Sequence, residues 1–288
     1  LTVTRHGANN SLIFGQPEYR EKWLAMTRYF MRLPQYGIWI ALFTVTVLVW
    51  SGPRAYAESV ADLLNGLTKD CPGCDLRHAN LKRFDLEGGN LAGAILEGAN
   101  LHGAKLGKVD LSGADLTRAN LNKVDLRRAI LVGATLTEAM LYEADVSAAD
   151  LTGADLAGAK MGYARFTRAI LKGARVTFAN LSNARFSGAE FDGANIRRSN
   201  LKEADLQRVD LSGVQLDEAY LVGANLKGAK LVGATLVHAD LYRANLIGAD
   251  LSGANLTGAR LIGAVLRNTT MDGTILTGAF MPDGSRGN

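Results

Sequence analysis

Apolar residues recur every five positions along most of the chain. In LSGANLTGARLIGAVL, residues 251–266, a leucine or its equivalent stands at each fifth position and an alanine stands two places before it. On an α-helix, five residues advance a side chain by about 140° beyond one turn, so these leucines would form no buried stripe. On a continuous strand, a step of five would send successive leucines to opposite faces. The pattern therefore predicts a chain that bends once every five residues, with each short extended piece turning its alanine and its leucine to one interior.

This five-residue pattern continues without insertion or deletion from Leu76 to Met281. All substitutions at the leucine position are apolar, and they include Val146, Met161, Phe166, Val176, Phe186, Phe191, Ile196 and Met271. The position two residues earlier is mostly alanine, with small departures such as Val109, Val124, Val209, Val214, Ser199, Thr269 and Thr274. Both positions are thus predicted to line a dry core.

A slower period of twenty residues gives the number of sides. The second residue after the leucine is glycine at every twentieth position from Gly93 to Gly273. Glycine is expected where a corner needs a positive φ or where another backbone comes close. The series singles out one side of four, which gives twenty residues per coil. Phe166 and Phe186 are twenty residues apart, so they should stack in the core on one side of adjacent coils.

Triplets such as Ala114-Asp115-Leu116 and Ala224-Asn225-Leu226 resemble the pentapeptide-repeat family. The family pattern is alanine, aspartate or asparagine, leucine and two variable residues, and the resemblance covers residues 74–281. It implies an all-β fold, a right-handed four-sided parallel β-helix. Coils stacked about 4.8 Å apart would make a rod roughly 50 Å long.

Residues 1–57 are predicted to be an N-terminal extension followed by a secretory signal peptide. Arg28 and Arg32 precede an apolar run over 37–50, and Ala55-Tyr56-Ala57 forms a cleavage site. These features predict cleavage after Ala57 and a periplasmic or secreted product. The alternative is an uncleaved segment that anchors the protein in the inner membrane, facing the periplasm. Because 1–25 are polar and begin with leucine, Met26 is expected to be the true start.

Residues 58–73 are predicted to cap the first coil and lead into the repeat. Val60, Leu63, Leu64 and Leu67 have helical spacing, which predicts a short amphipathic helix over the open end of the coil. Cys71 and Cys74 follow in the sequence Cys-Pro-Gly-Cys. They are interpreted as a local disulfide or as two buried thiols, with redox catalysis less favoured. Residues 282–288 form a tail without a helix, so an uncapped end could stack against a second copy as a homodimer.

No catalytic, metal or cofactor site can be assembled from the pattern. Beyond the N-terminal segment the histidines are His78, His102 and His238, and the twenty-residue period separates His78 and His238 by eight coils. The serines and threonines lack a histidine partner. A convex rod offers no cleft for its paired carboxylates. The protein is therefore predicted not to be an enzyme and to need no cofactor.

Charge is segregated by side. After residue 57 the chain has 26 basic and 26 acidic residues, but one side is mainly basic and the neighbouring glycine side is mainly acidic. The alternative is chance variation among surface charges. The candidate basic binding stripe consists of Lys105, Lys108, Arg127, Arg128, Arg165, Arg168, Arg185 and Arg208.

The sequence thus favours a non-enzymatic exported rod that acts as a binding or structural scaffold. The basic stripe would face a protein or an anionic envelope surface. Nucleic acid is not favoured as a partner, because the stripe lacks aromatics for stacking on bases. The resemblance implies a second possibility, since some family members mimic duplex DNA and inhibit or protect DNA gyrase. Those members are acidic and cytoplasmic, whereas this sequence has balanced charge after residue 57 and a predicted export signal.

Overall fold

The computed structural model describes residues 60–287. The predicted N-terminal extension, signal peptide and cleavage site after Ala57 lie outside the described residues. The helical part of the described chain spans residues 60–64, and the remainder from Cys71 onward is built from turns and single-residue bridges.

The repeat forms a four-sided coil. Each bridge residue, the residue just before a leucine, pairs in parallel with the residue twenty positions later, from Asp75 with Ile95 to Arg260 with Phe280. This spacing confirms twenty residues per coil. The sides are named here by their bridge residues. Side A runs from 75 to 275, side B from 80 to 280, side C from 85 to 265 and side D, the glycine side, from 90 to 270.

The sides are shorter than the expected extended pieces. Within residues 60–287 the parallel pairing is one residue long on every side, so no strand of ordinary length occurs. The reason is the length of the repeat. Two of every five residues form the corner turn, which leaves one residue between alanine and leucine to pair with the next coil.

Leucine and alanine positions fill the interior. Most of these side chains are completely buried, and together they form one continuous core. The predicted pair of Phe166 and Phe186 is confirmed, with ring centroids 5.1 Å apart and planes 12° apart. Phe191 packs against Phe186 at 5.4 Å in a tilted arrangement. Burial of these rings provides a large part of the local hydrophobic stabilisation.

The corners are tight turns with the same backbone on all four sides. The alanine N–H donates to the preceding leucine carbonyl, as from Ala79 to Leu76 at 3.0 Å. The second turn residue has a positive φ whether it is glycine, as at Gly93 (φ 66°), or not, as at Arg168 (φ 59°). Positive φ at this place is what a type II turn requires. The positive φ therefore occurs on all four sides and does not distinguish side D. No atom near Gly93 would clash with a Cβ there, so packing does not require a glycine.

Aspartate and asparagine at the bridge position accept a backbone hydrogen bond from the adjoining turn. In a regular corner, such as that at 115–119, the ladder and the turn engage every backbone N–H except that of the first turn residue. A bridge Asp or Asn accepts this N–H through Oδ1, as Asp115 does from Thr117 at 3.0 Å and Asn90 from Ala92 at 3.0 Å. The short side chain is thus selected because it reaches its own backbone two residues on.

The chain before the first coil packs on its end. Leu63, in the helical turn 60–64, is fully buried and belongs to the same core as the leucines of the coil. Gly89 lies beneath Lys69, where a Cβ would overlap the Lys69 carbonyl oxygen. Cys71 and Cys74, both buried, are joined by a disulfide with a Cα–Cα distance of 5.4 Å.

The C-terminal tail returns onto the last coil. Arg286 pairs in antiparallel fashion with Phe280, and its guanidinium lies 3.7 Å from the centroid of that ring. Gly287 donates to the carbonyl of Ala279 at 2.8 Å. The expectation of a wholly uncapped end is therefore wrong, because the Pro282–Ser285 turn lets the chain pair with its own last bridge residue.

Candidate functional site

The basic stripe lies on side C, where the structure exposes all eight of its residues. Lys105, Arg165 and Arg185 occupy bridge positions, and Arg165 and Arg185 pair directly on neighbouring coils. Arg127 is a first turn residue. The second turn position holds Lys108, Arg128, Arg168 and Arg208, each with a positive φ near 60°. Their Cα–Cβ bonds thus leave the coil at equivalent corners.

Half of the stripe is held by carboxylates of its own side. Lys105 Nζ lies 3.8 Å from Asp85, Lys108 Nζ lies 3.2 Å from Glu87, and Arg165 lies 3.7 Å from Asp145. Arg127 makes a two-pronged contact with Asp125, at 2.8 and 2.6 Å. The side-chain hydrogen bond from Arg127 lowers the pKa of Asp125, and the same bond raises the pKa of Arg127. Arg127 is therefore partly withdrawn from binding, since its charge is already matched.

The remaining four residues are here called the unpaired set: Arg128, Arg168, Arg185 and Arg208. Within the described part of the chain, none of them makes an ion pair or lies over an aromatic ring. The unpaired set occupies the middle of side C rather than its two ends. Four unmatched guanidinium groups on a rigid face make a positive field suited to an anionic surface.

Side D carries the expected acidic residues, and many of them are bound locally. Lys172 pairs with Glu190 at 2.9 Å and Asp192 at 3.5 Å. Asp250 accepts the hydroxyl of Ser252 at 2.5 Å and its N–H at 2.9 Å. The two bonds from Ser252, with the side-chain bond the larger, lower the pKa of Asp250. Side D thus presents carboxylates that are engaged either within their own turns or by a lysine of an adjacent coil.

This lowered pKa gives a testable pH dependence for Asp250→Asn. Because the folded pKa lies below the unfolded value of about 3.9, the ionised form contributes stability above that pH and loses it as the pH falls through the folded pKa. Asparagine keeps both bonds, as Asn255 does with Thr257 at 3.0 and 2.6 Å, but it does not titrate. We expect the variant to be less stable than the wild type at pH 6, with a difference that shrinks as the pH falls below about 3.9. Urea unfolding across this range measures the difference, and a constant difference would contradict the assignment.

Other sides hold features that the charge analysis missed. A shallow groove on side A is lined by Thr177, Phe178, Arg197 and Arg198. Phe178 is 62% exposed and lies under the Arg198 guanidinium at 5.5 Å. On side B, Tyr242 lies beneath two guanidinium groups, of Arg243 at 5.0 Å and Arg260 at 4.5 Å. These contacts form because adjacent coils bring the residues together, and they cannot be inferred from the number of charges on each side.

The histidines remain apart. His78 and His238 occupy second turn positions of side A, and His102 is a first turn residue of side B. In residues 60–287 no group of His, Cys, Asp and Glu has the geometry to hold a metal ion. Across the same residues, no helix is both long and apolar enough to cross a membrane.

Comparison with known proteins identifies the repeat. The family model for pentapeptide repeats matches eight copies, over residues 73–113, 110–147, 149–188, 177–213, 210–246, 219–258 and 244–281. No curated protein sequence matches the chain significantly.

Several solved structures are similar. HetL, a pentapeptide repeat protein involved in heterocyst differentiation regulation in the cyanobacterium Nostoc sp. strain PCC 7120, is 31% identical. That alignment covers 80% of this chain and 98% of HetL, with a TM-score of 0.45. QnrB1, a plasmid-mediated fluoroquinolone resistance protein, is 21% identical over 71% of this chain and 90% of its own, with a TM-score of 0.37. A pentapeptide repeat protein from the thylakoid lumen of Arabidopsis thaliana is 37% identical over 35% of this chain and 63% of its own, with a TM-score of 0.19.

Proposed function

Because the chain belongs to the pentapeptide-repeat family, whose fold is a right-handed quadrilateral β-helix, we propose that it is a non-enzymatic scaffold that binds its partner through side C. The observation that supports this is the unpaired set. Four exposed guanidinium groups, which have no carboxylate partner within residues 60–287, lie on one face of a rod whose core is filled almost entirely by apolar side chains. Such a face can bind without backbone rearrangement, because the backbone N–H of each of the four arginines is fixed in the hydrogen-bonded ladder.

The partner on this proposal is a protein with an acidic surface or an anionic surface of the cell envelope. The proposal includes export, which rests on the sequence features of residues 27–57. The uncleaved form of that segment would leave the same rod tethered to the inner membrane, facing the periplasm.

Two structural roles belong to the same proposal. Residues 60–70 act as a cap on the first coil, supported by the burial of Leu63. At the other end Leu266, Met271, Leu276 and Met281 are only partly buried. These apolar side chains support end-to-end pairing of two copies as a homodimer, with the returning tail at one edge of the contact.

The decisive variant replaces the unpaired set with serine. It is compared with a control that removes four arginines in carboxylate pairs on sides A and B, namely Arg77, Arg118, Arg198 and Arg260. Both variants lose four positive charges, and exposed ion pairs contribute about 0–1 kcal/mol each, so both should fold. A tagged full-length chain is localised by fractionation and then used to capture partners from native envelope extract.

We expect the wild type and the control to retain the same partners and the side C variant to lose them. Equal retention by all three proteins would overturn the role of side C. If both variants lost their partners equally, binding would depend on net charge and not on side C, which also contradicts the proposal. A tagged protein found only in the cytoplasm would overturn export.

A further inference from the structure

At two neighbouring corners of side C the bridge residue is an arginine rather than an aspartate or asparagine, one of several replacements along the described coils. At Arg165 and Arg185 an arginine stands where a short acceptor side chain usually receives the N–H of the first turn residue. The first turn residues are then Thr167 and Ser187. Within residues 60–287, neither of these N–H groups has a hydrogen-bond acceptor, although both carbonyls are engaged by the preceding coil.

A third backbone donor, the N–H of Gly188, lies next to Ser187. The next residue, Gly188, has a positive φ of 68°. On the same corner, one coil earlier, the N–H of Arg168 donates to the Ser187 carbonyl at 2.9 Å, and one coil later the N–H of Arg208 donates to the Lys227 carbonyl at 3.0 Å. The Gly188 N–H makes no such bond to any described residue, and the same holds for the N–H groups of Phe191 and Gly193 farther along this coil. Successive backbone N–H groups left open at a turn are a known arrangement for binding anions.

The side chains around these donors are positive or hydroxylic. Arg165 and Arg185 lie on adjacent coils, and the Arg168 side chain extends over Gly188 on the next coil, as that of Arg208 does over Gly228. The Thr167 and Ser187 hydroxyls make no hydrogen bond to any other described residue. Each corner thus combines a guanidinium, a free backbone N–H and a hydroxyl; Arg165 is ion-paired with Asp145 at 3.7 Å, whereas Arg185 makes no ion pair within residues 60–287.

The neighbouring carboxylates do not fill the site. Asp145, one coil before, accepts the N–H of Ser147 at 3.1 Å and lies 3.7 Å from Arg165. Asp205, one coil after, accepts the N–H of Gln207 at 3.2 Å and the side-chain amide of Asn225 at 3.0 Å. Both carboxylates are thus already engaged, each by its own turn and by one side chain of the following coil. Arg185 has no ion pair with either of them.

A comparable corner on side A shows what makes this pair distinct. Arg175 also stands at a bridge position before a threonine, Thr177, but its guanidinium is bonded to Asp155. Its charge is therefore matched within the protein. Only on side C, among the described coils, do two such corners follow each other without full carboxylate pairing.

From this arrangement we propose that the corners at 165–168 and 185–188 form a binding site for tetrahedral oxyanions, phosphate or sulfate. This inference rests on the proposed role of side C and gives that face a ligand chemistry. An anion oxygen takes the place of the missing aspartate Oδ1 at the Thr167 and Ser187 N–H groups, while the arginines supply charge-assisted bonds. Because the two corners are one coil apart, about 4.8 Å, a polymer that carries several such groups can occupy both.

The test uses a variant that supplies the missing acceptor from within the chain. In Arg165→Asn/Arg185→Asn the asparagine Oδ1 accepts the turn N–H, as Asn245 does from Ile247 at 3.2 Å. Its amide can bond to the bridge residue of the preceding coil, as Asn245 does to Asn225 at 3.3 Å. The variant should therefore fold. The matched control is Arg175→Asn/Arg260→Asn, which removes the same charge at bridge positions of sides A and B.

Inorganic phosphate and inorganic sulfate are titrated into each protein while backbone amide shifts are followed by NMR. We expect saturable shifts of the Thr167, Ser187 and Gly188 amides in the wild type and the control. In the side C variant, affinity should fall by at least about tenfold, since hydrogen bonds to charged groups are lost. Long-chain polyphosphate and heparin, titrated in parallel, distinguish free anions from polymer-borne phosphate and polymer-borne sulfate.

The outcomes separate this inference from the proposed function. If these amides do not shift with any probe, or shift equally in the asparagine variant, the oxyanion site is overturned even if the unpaired set is still needed for partner capture. If the amides shift as expected and capture is unaffected by the unpaired set, the site stands and the proposed partner role fails. Shifts that are the same in the variant and the control would indicate a general charge effect and would also overturn the site.

Discussion

Phe186→Ala is expected to lower the free energy of unfolding by about 3–5 kcal/mol, the range for truncating a buried aromatic side chain. Phe186 lies between two other rings, at 5.1 Å from Phe166 and 5.4 Å from Phe191. The coil cannot close over the cavity, because its spacing is set by backbone bonds such as Phe166 N–H to Arg185 O at 2.7 Å. The loss should therefore be near the upper end of the range. Equilibrium denaturation with urea, followed by circular dichroism, measures it.

The matched control is Phe178→Ala. Phe178 is a corner residue of the same region, but it is 62% exposed, and its ring contacts the Arg198 guanidinium at 5.5 Å. An exposed cation–π contact contributes about 0.5–1 kcal/mol, so this variant should remain close to the wild type. Equal destabilisation by the two changes would show that the coil interior relaxes freely, contrary to the fixed ladder.

The parts of the fold that the sequence predicts are those that depend on position within the repeat. A residue such as Leu171 is buried because of its position in the five-residue unit, whatever its neighbours are. The period alone therefore predicts that it lies in the core. The stacking of Phe166 on Phe186 follows from the twenty-residue period in the same way. This is possible because the backbone is regular: the turn bond from alanine N–H to leucine carbonyl and the ladder bonds to the next coil recur at most corners.

The state of the charged residues is less predictable. Sorting by side places Arg127 and Arg128 together, yet Arg127 is bonded to Asp125 two residues before it and Arg128 has no carboxylate partner among the described residues. A long exposed side chain can reach a carboxylate two residues away or one on the next coil. The number of charges on a side does not indicate which of these partners it binds. A usable signal was present for Thr167 and Ser187. In both cases an arginine replaces the bridge Asp or Asn and a hydroxyl residue follows two positions later.

The two ends also differ from a pure repeat, and for a physical reason. The last coil lacks a following coil, so its bridge residue Phe280 pairs with Arg286 of the returning tail. Asp283 accepts the N–H of Ser285 at 2.9 Å, which is the same local bond that bridge aspartates make within the coil. The return turn thus reuses the chemistry of the repeat, with Pro282 and Gly284 as the sequence cues that favour a turn.

Leu63→Ala tests the other end and is expected to cost about 2–5 kcal/mol. Five helical residues do not form a stable helix in isolation, so the segment 60–64 depends on packing. Leu63 is its fully buried member and lies in the core of the coil, while Gly89 leaves room for the backbone at Lys69 to lie against the first coil. Losing this contact should expose the first leucines. Hydrogen exchange of the Leu76 and Leu81 amides should accelerate more than that of amides in the middle of the rod.

Leu67→Ala provides the comparison, because Leu67 belongs to the same segment but is 76% exposed. Removal of an exposed side chain should change stability by no more than about 0.5 kcal/mol. If Leu63→Ala is as mild as Leu67→Ala, residues 60–70 do not cap the coil. If it destabilises the protein but hydrogen exchange rises uniformly along the rod, then the coils unfold as one unit, and the stabilisation from Leu63 is shared by all of them rather than confined to the end.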